Sequence, residues 1–147
     1  MAENFKHMQL LLHAIEGINR TMELKSLLLK CMNSSRLVME AEASSLMLLD
    51  QVSGELHVSI PTGPIKDKIT GMSIPRDKGV AGWVLKNKKP YLSNNPKDDE
   101  IFWAELSADF HTTNILCVPL INSKEEAIGV IQVLNKKDGK PFEEDEI

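Results

Sequence analysis

Residues 114–136 read NILCVPLINSKEEAIGVIQVLNK, two apolar runs on either side of one charged turn. Residues 114–121 and 127–135 each have strand length and are rich in Ile, Val and Leu. Asn122, Ser123, Lys124, Glu125 and Glu126 between them are polar. The spacing predicts an antiparallel hairpin.

Working outward, a second hairpin lies upstream. Residues 44–50 read as a strand, apolar on both faces at Leu46, Met47, Leu48 and Leu49. Gln51 to Gly54 is a turn signal, and residues 55–60 alternate, which puts Leu56, Val58 and Ile60 on one face. Pro61-Thr62-Gly63-Pro64 ends that pair. Between the hairpins the chain is irregular. Residues 66–71 read as polar loop, and 72–74 as a short strand stopped by Pro75. Residues 79–87 read as a short helix with Val80, Trp83 and Val84 on one face. Tyr91-Leu92 is extended, residues 93–100 are loop, and 101–110 hold another short helix.

The ends of the chain have helical period. Apolar residues at 5, 8, 11, 12, 15, 18 and 22 form one wide stripe. A second helix follows through Leu24, Leu27, Leu28, Cys31, Met32, Ser35 and Val38, with Thr21 placed as its N-cap. At the other end, Pro141-Phe142 precedes the acidic run Glu143 to Glu146, which suits the positive end of a helix dipole. The layout is α+β: one antiparallel sheet with helices on its faces. Residues 1–147 read as one domain cut at the start of its closing helix.

Composition narrows the function classes. Of 147 residues, 42% are apolar and 26% charged, and the net charge is −4. That balance supports a core and opposes electrostatic binding to nucleic acid. No apolar run reaches the roughly 18–20 residues a membrane span needs. Cys31 and Cys117 are far apart and form no CxxC pair, so a cysteine zinc site is excluded. Free thiols suit a cytoplasmic compartment. No Ser-His-Asp pattern, phosphate-binding loop or metal-ligand cluster is visible. His111 stands alone in a loop, and His7, His13 and His57 read as exposed polar positions.

Four strings together resemble GAF domains: SSLMLLDQVSGEL at 44–56, IPRDKGVAGWVLKNKKPYLSNNP at 74–96, the hairpin at 114–136, and PFEEDE at 141–146. The resemblance runs from about Thr21 to the end. It implies a profilin-like, six-stranded antiparallel sheet with terminal helices on one face. Short helices and loops on the other face would form a small-molecule pocket.

The resemblance also nominates residues. Ser45, Val80, Ala81, Trp103, Thr112 and Gln132 stand where cyclic-nucleotide-binding members place contacts. Gly79, opening the Gly79–Gly82 segment, would begin a helix whose amides favour an anion; the alternative is a tight turn that needs small residues. Ile60 and Gln132 replace acidic residues of those members. Trp103 is the better lid residue, whereas Trp83 suits the core. Asn135, Lys136, Phe142 and Asp145 resemble the family's NKFDE motif, with two residues between Phe142 and Asp145 where that motif has three. They are read as a structural latch with a Lys136–Asp145 ion pair.

These features describe a small-molecule-sensing regulatory domain, not an enzyme, attached to an output domain in a larger signalling protein. A cyclic nucleotide or another small metabolite is the expected ligand, and no metal or fixed cofactor is expected. Ligand entry would close the loops at 66–71 and 93–110 and so bias the terminal helices. The domain is expected to be homodimeric through its terminal helices, and the alternative is a dimerisation or protein-interaction module without ligand. Residues 1–20 would then serve as a dimerisation helix, with Leu10, Ala14 and Gly17 on a side separate from its main stripe. One enzymatic branch of the family reduces free methionine sulfoxide, and its chemistry needs an attacking and a resolving thiol. Cys31 in a helix and Cys117 in a strand are not expected to cooperate.

Overall fold

The computed structural model describes residues 2–17, 21–103 and 110–147, with the side chains of 2–3, 12–17 and 21–24 outside that description. Two helices open the chain, α1 (Ala2–Gly17) and α2 (Thr21–Val38). A hairpin follows, β1 (Ala41–Leu49) and β2 (Glu55–Thr62). Then come α3 (Lys66–Ile69), β3 (Ser73–Pro75), α4 (Gly79–Asn87) and β4 (Tyr91–Ser93). The last hairpin is β5 (Ile115–Ile121) and β6 (Ala127–Lys136). The six strands form one sheet in the order β3-β2-β1-β6-β5-β4, and every neighbouring pair is antiparallel. The expected α+β architecture is therefore present.

Side-chain alternation divides the sheet between two cores. In β5 and β6, Leu116, Val118, Ile131 and Val133 face one side, where Met8 of α1 and Leu28 and Met32 of α2 cover them. Cys117, Val130 and Leu134 face the other side, beneath Ile65, Ile69, Val80 and Val84. Gly129 is required where β6 crosses β1, because a Cβ there would lie 2.3 Å from the Met47 carbonyl oxygen.

The structure departs from the sequence expectation at several points. Leu56, Val58 and Ile60 do not share a face. Leu46 pairs with Ile60 and Met47 with Val58, so Ser59 is an extra residue in β2. The bulge reverses the facing of the strand beyond it. Leu56 and Val58 join the pocket-side core, while Ile60 joins the helix-side core. Residues 66–69 are one turn of helix and not loop, because Ile65 and Ile69 stand four apart and both bury into the pocket-side core. The acidic run at the C-terminal end forms a 3₁₀ turn, Glu144–Glu146, closed by a capping box between Glu143 and Glu146. The capping role of Thr21, and the short helix expected across 101–110, fall at least partly outside the described residues, as do the side chains of Ala14 and Gly17.

Candidate functional site

The floor of the site is set by the β1–β6 register. Ser45 pairs directly with Gln132, and both side chains are buried. Same-face neighbours extend the floor through Ala43 and Leu134, and Ile115 of β5 pairs with Leu134. The walls and roof are Ile65 and Ile69 beside and on α3, Ile74 of β3, the first turn of α4, and Phe102, Trp103, Phe110 and Thr112. The space between them, open on one side, admits the centres of water-sized molecules over about 60 Å³. All seven nominated residues, Ser45, Gly79, Val80, Ala81, Trp103, Thr112 and Gln132, line this one cavity. Trp103 is half exposed at its mouth.

Sequence reading missed most of the aliphatic lining. Ile115 and Leu134 were accessible to it, since they follow from Gln132 by strand alternation and hairpin register. Ile65, Ile69 and Phe110 come from segments whose placement depends on tertiary packing.

The polar atoms of the cavity are unevenly satisfied. Ser44 Oγ lies 2.7 Å from Thr62 Oγ1 and 3.3 Å from the Met32 carbonyl oxygen, to which it donates. Its neighbour Ser45 is 2% exposed, and its hydroxyl has no hydrogen-bond partner among the described residues. A buried unsatisfied hydroxyl costs about 1–3 kcal/mol. Gln132 Nε2 donates to Met47 Sδ at 3.3 Å, and a thioether is a weak acceptor.

The first intrahelical bond of α4 runs from Gly82 N to Lys78 O, which leaves the amides of Gly79, Val80 and Ala81 without helical acceptors. No side chain caps them. The glycines are explained by local geometry as well. Gly79 has φ of +69°, and a Cβ on Gly82 would lie 2.9 Å from the Arg76 carbonyl oxygen. The tight-turn and helix-start readings therefore hold together. Among the described residues, Lys78 is the one charged side chain in the lining.

A second constellation stands beside the pocket, where β6 meets the C-terminal segment. Asn135 has φ of +59°. Its Oδ1 accepts from Thr113 N at 2.7 Å and from Thr113 Oγ1 at 3.1 Å, while its Nδ2 donates to the His111 carbonyl oxygen at 2.7 Å. These bonds bracket Thr112, a cavity residue. Asn114 Nδ2 donates to Lys140 O at 2.8 Å, and Asn94 binds both backbone groups of Phe142. Lys136 Nζ lies 5.7 Å from the Phe142 ring centre. The ion pair is not the expected one. Lys136 Nζ meets Glu146 at 2.5 Å, and Asp145 is exposed. The capping box folds the Glu146 carboxylate back toward Lys136, while Asp145 points to solvent on the same turn. Leaving three residues after Phe142, as that motif does, leads to Glu146, so the spacing already carried this signal.

Among the described residues, the other candidate reactive groups stand apart from one another. Cys117 is fully buried in the pocket-side core, and burial pushes its thiol well above the ordinary cysteine range. Cys31 packs against the core on the opposite side of the sheet. His57 Nε2 lies 3.5 Å from Asp50 Oδ2 and 3.5 Å from Ser73 Oγ. Both contacts use the same ring nitrogen, whereas a Ser-His-Asp relay uses one on each side. Among the described residues, no group of three or more His, Cys, Asp or Glu side chains is placed to hold a metal ion, and no helix is long and apolar enough to cross a membrane.

Comparison with known proteins supplies a family. Residues 23–147 match the family model of the GAF domain. Dual 3',5'-cyclic-AMP and -GMP phosphodiesterase 11A of Takifugu rubripes is 40% identical over 70 residues, covering 46% of this chain and 8% of that protein. The probable 3',5'-cyclic phosphodiesterase pde-5 of Caenorhabditis elegans is 29% identical over 132 residues, covering 82% of this chain and 18% of that protein. The chain thus spans less than a fifth of either relative. Among solved structures, the type II free methionine-R-sulfoxide reductase of Thermoplasma acidophilum has the same fold, with a TM-score of 0.67 and 15% identity, covering 83% of this chain and 80% of that one.

Proposed function

This chain belongs to the GAF domain family, and on that premise we propose that it is a regulatory module whose cavity binds a small molecule and reports it to an output domain elsewhere in a larger protein. One observation carries the reading: a buried hydroxyl, Ser45 Oγ, stands unpartnered on the floor of a cavity that also receives the free amides of α4. A buried hydroxyl with no partner among the described residues is one that a ligand would satisfy. The two relatives are named as cyclic-nucleotide phosphodiesterases, which makes cAMP and cGMP the first compounds to test. Asn135 offers the route outward, since it joins the segment around Thr112 to β6, and the next residue, Lys136, holds Glu146.

The test is a thermal-shift and calorimetric screen of small metabolites with both cyclic nucleotides included. A ligand at a hundred times its Kd raises stability by about 2.7 kcal/mol through mass action. If no compound shifts the melting point, the sensing reading fails.

A second reading, homodimerisation through the terminal helices, is favoured by the exposed apolar side chains Leu10 of α1 and Leu27, Leu29, Leu37 and Val38 of α2. Light scattering over a concentration series tests it, and a strict monomer removes it. The reductase reading lacks support from the thiols, because Cys31 and Cys117 lie on opposite sides of the sheet.

A further inference from the structure

We propose that the groove between α2 and the connection from β2 to α3 is a second binding site, separate from the cavity, and that it takes a phosphate monoester group. Leu29, Asn33 and Arg36 stand at i, i+4 and i+7 on α2 and so share one face. That face lines the groove together with the turn at Pro61–Pro64 and Lys66 of α3. The cations carry the argument. Arg36 is partly buried, and its Nε is enclosed with no hydrogen-bond partner among the described residues. Its Nη1 donates to the Glu42 carbonyl oxygen at 3.4 Å, near the limit of a hydrogen bond. One edge of the guanidinium has thus left water without gaining a strong acceptor, which costs free energy. Among the described residues, neither Arg36 nor Lys66 is ion-paired. An anion in the groove would offset that cost.

Two cations on one groove match a doubly charged group better than a single carboxylate. A guanidinium fork and an ammonium suit the several oxygens of a phosphate monoester, and the Asn33 amide adds a donor. The floor is fixed in advance. Gly63 has φ of +106°, and a Cβ there would lie 2.7 Å from the Glu42 carbonyl oxygen, so the turn sits directly on β1. Thr62 Oγ1 meets Ser44 Oγ, which also donates to the Met32 carbonyl oxygen of α2. Leu29, Pro61 and Pro64 give the groove apolar walls, which strengthen a charge-assisted bond beside them. Thr62 lines the cavity as well, and so do Ile65 and Ile69 on either side of Lys66. A phosphate held between Arg36 and Lys66 would therefore tie the cavity wall to the terminal helix α2.

The experiment titrates the 147-residue chain, labelled with ¹⁵N, with methyl phosphate, acetate, sodium chloride at matched ionic strength, and a phosphoserine peptide flanked by leucines. The Arg36 Nε–H signal, identified by its loss in Arg36→Lys, reports the groove, and the Val80 and Ala81 amides report the cavity. Methyl phosphate should move the Arg36 signal saturably and bind about tenfold more tightly than acetate. Lys66→Gln changes an exposed side chain, so it keeps the fold, and it should weaken methyl phosphate about tenfold. Tighter binding of the peptide than of methyl phosphate assigns the group to a protein segment; equal or weaker binding assigns it to a small metabolite. Both outcomes support the site. The proposal is overturned if sodium chloride moves the Arg36 signal as far as methyl phosphate does, if acetate binds equally, or if Lys66→Gln binds methyl phosphate undiminished. Movement of the Val80 and Ala81 signals without that of Arg36 also overturns it and leaves the cavity reading standing.

Discussion

Lys136 Nζ lies 2.6 Å from one carboxylate oxygen of Glu146 and 2.5 Å from the other, and so fastens the end of β6 to the C-terminal turn. Both side chains are mostly buried, at 13% and 20% exposure, so solvent screens the pair less than a surface bridge. Glu146 Oε1 also accepts from Glu143 N at 2.9 Å. Glu146→Gln should therefore destabilise by about 1.5 kcal/mol in urea unfolding. Asp145→Asn should stay within about 0.5 kcal/mol of wild type. The reverse order would restore Asp145 as the latch.

Asn135 combines a left-handed backbone with a buried amide that binds on both sides. Asn135→Ala should cost about 3 kcal/mol, from lost hydrogen bonds and from a Cβ at positive φ. Asn135→Gly loses the same bonds without the backbone strain, so it should be about 1 kcal/mol less harmful. Equal losses would assign the whole effect to the side chain.

Gly129→Ala sets a methyl 2.3 Å from the Met47 carbonyl oxygen in the middle of the sheet. The β1–β6 pairing must open to admit it. A loss of about 3 kcal/mol or more is expected, and circular dichroism melting reads it directly.

Tyr91 is the chain's single tyrosine, so its phenol titration is spectroscopically unambiguous. Desolvation, with the hydrogen bond to Asp99 at 2.8 Å and that carboxylate's charge, raises its pKa to about 12. The folded value lies above the ordinary tyrosine value of 10.0. Its contribution to stability is thus fully present below pH 10.0 and is lost as pH rises toward about 12. Absorbance at alkaline pH should show the late titration, and Asp99→Asn should bring it down toward the ordinary value. Tyr91→Phe should flatten the stability profile across that window.

The two thiols should differ in reactivity. Cys31 is partly exposed and Cys117 is fully buried with a raised pKa. Ellman's reagent should modify Cys31 first in the native protein and Cys117 only on unfolding. Rapid modification of Cys117 would reopen the thiol-chemistry reading.

What the sequence determined by itself was local and periodic. Strand-length apolar runs and their turns specify both hairpins, because a period of two and a polar turn act within a few residues. The Gly79–Gly82 segment specifies the start of α4 for a similar reason, and the ordered set of motifs placed all seven nominated residues on one cavity. Tertiary structure decided the rest. The Ser59 bulge depends on pairing with β1, so alternation alone put Ile60 on the wrong face. The one-turn α3 exists because Ile65 and Ile69 find a core to enter. Glu146 replaces Asp145 because the capped turn folds it toward Lys136. That Ser45 lacks a partner while Ser44 beside it has two is invisible in the pair of letters; it follows from which face of β1 meets α2 and which meets the cavity.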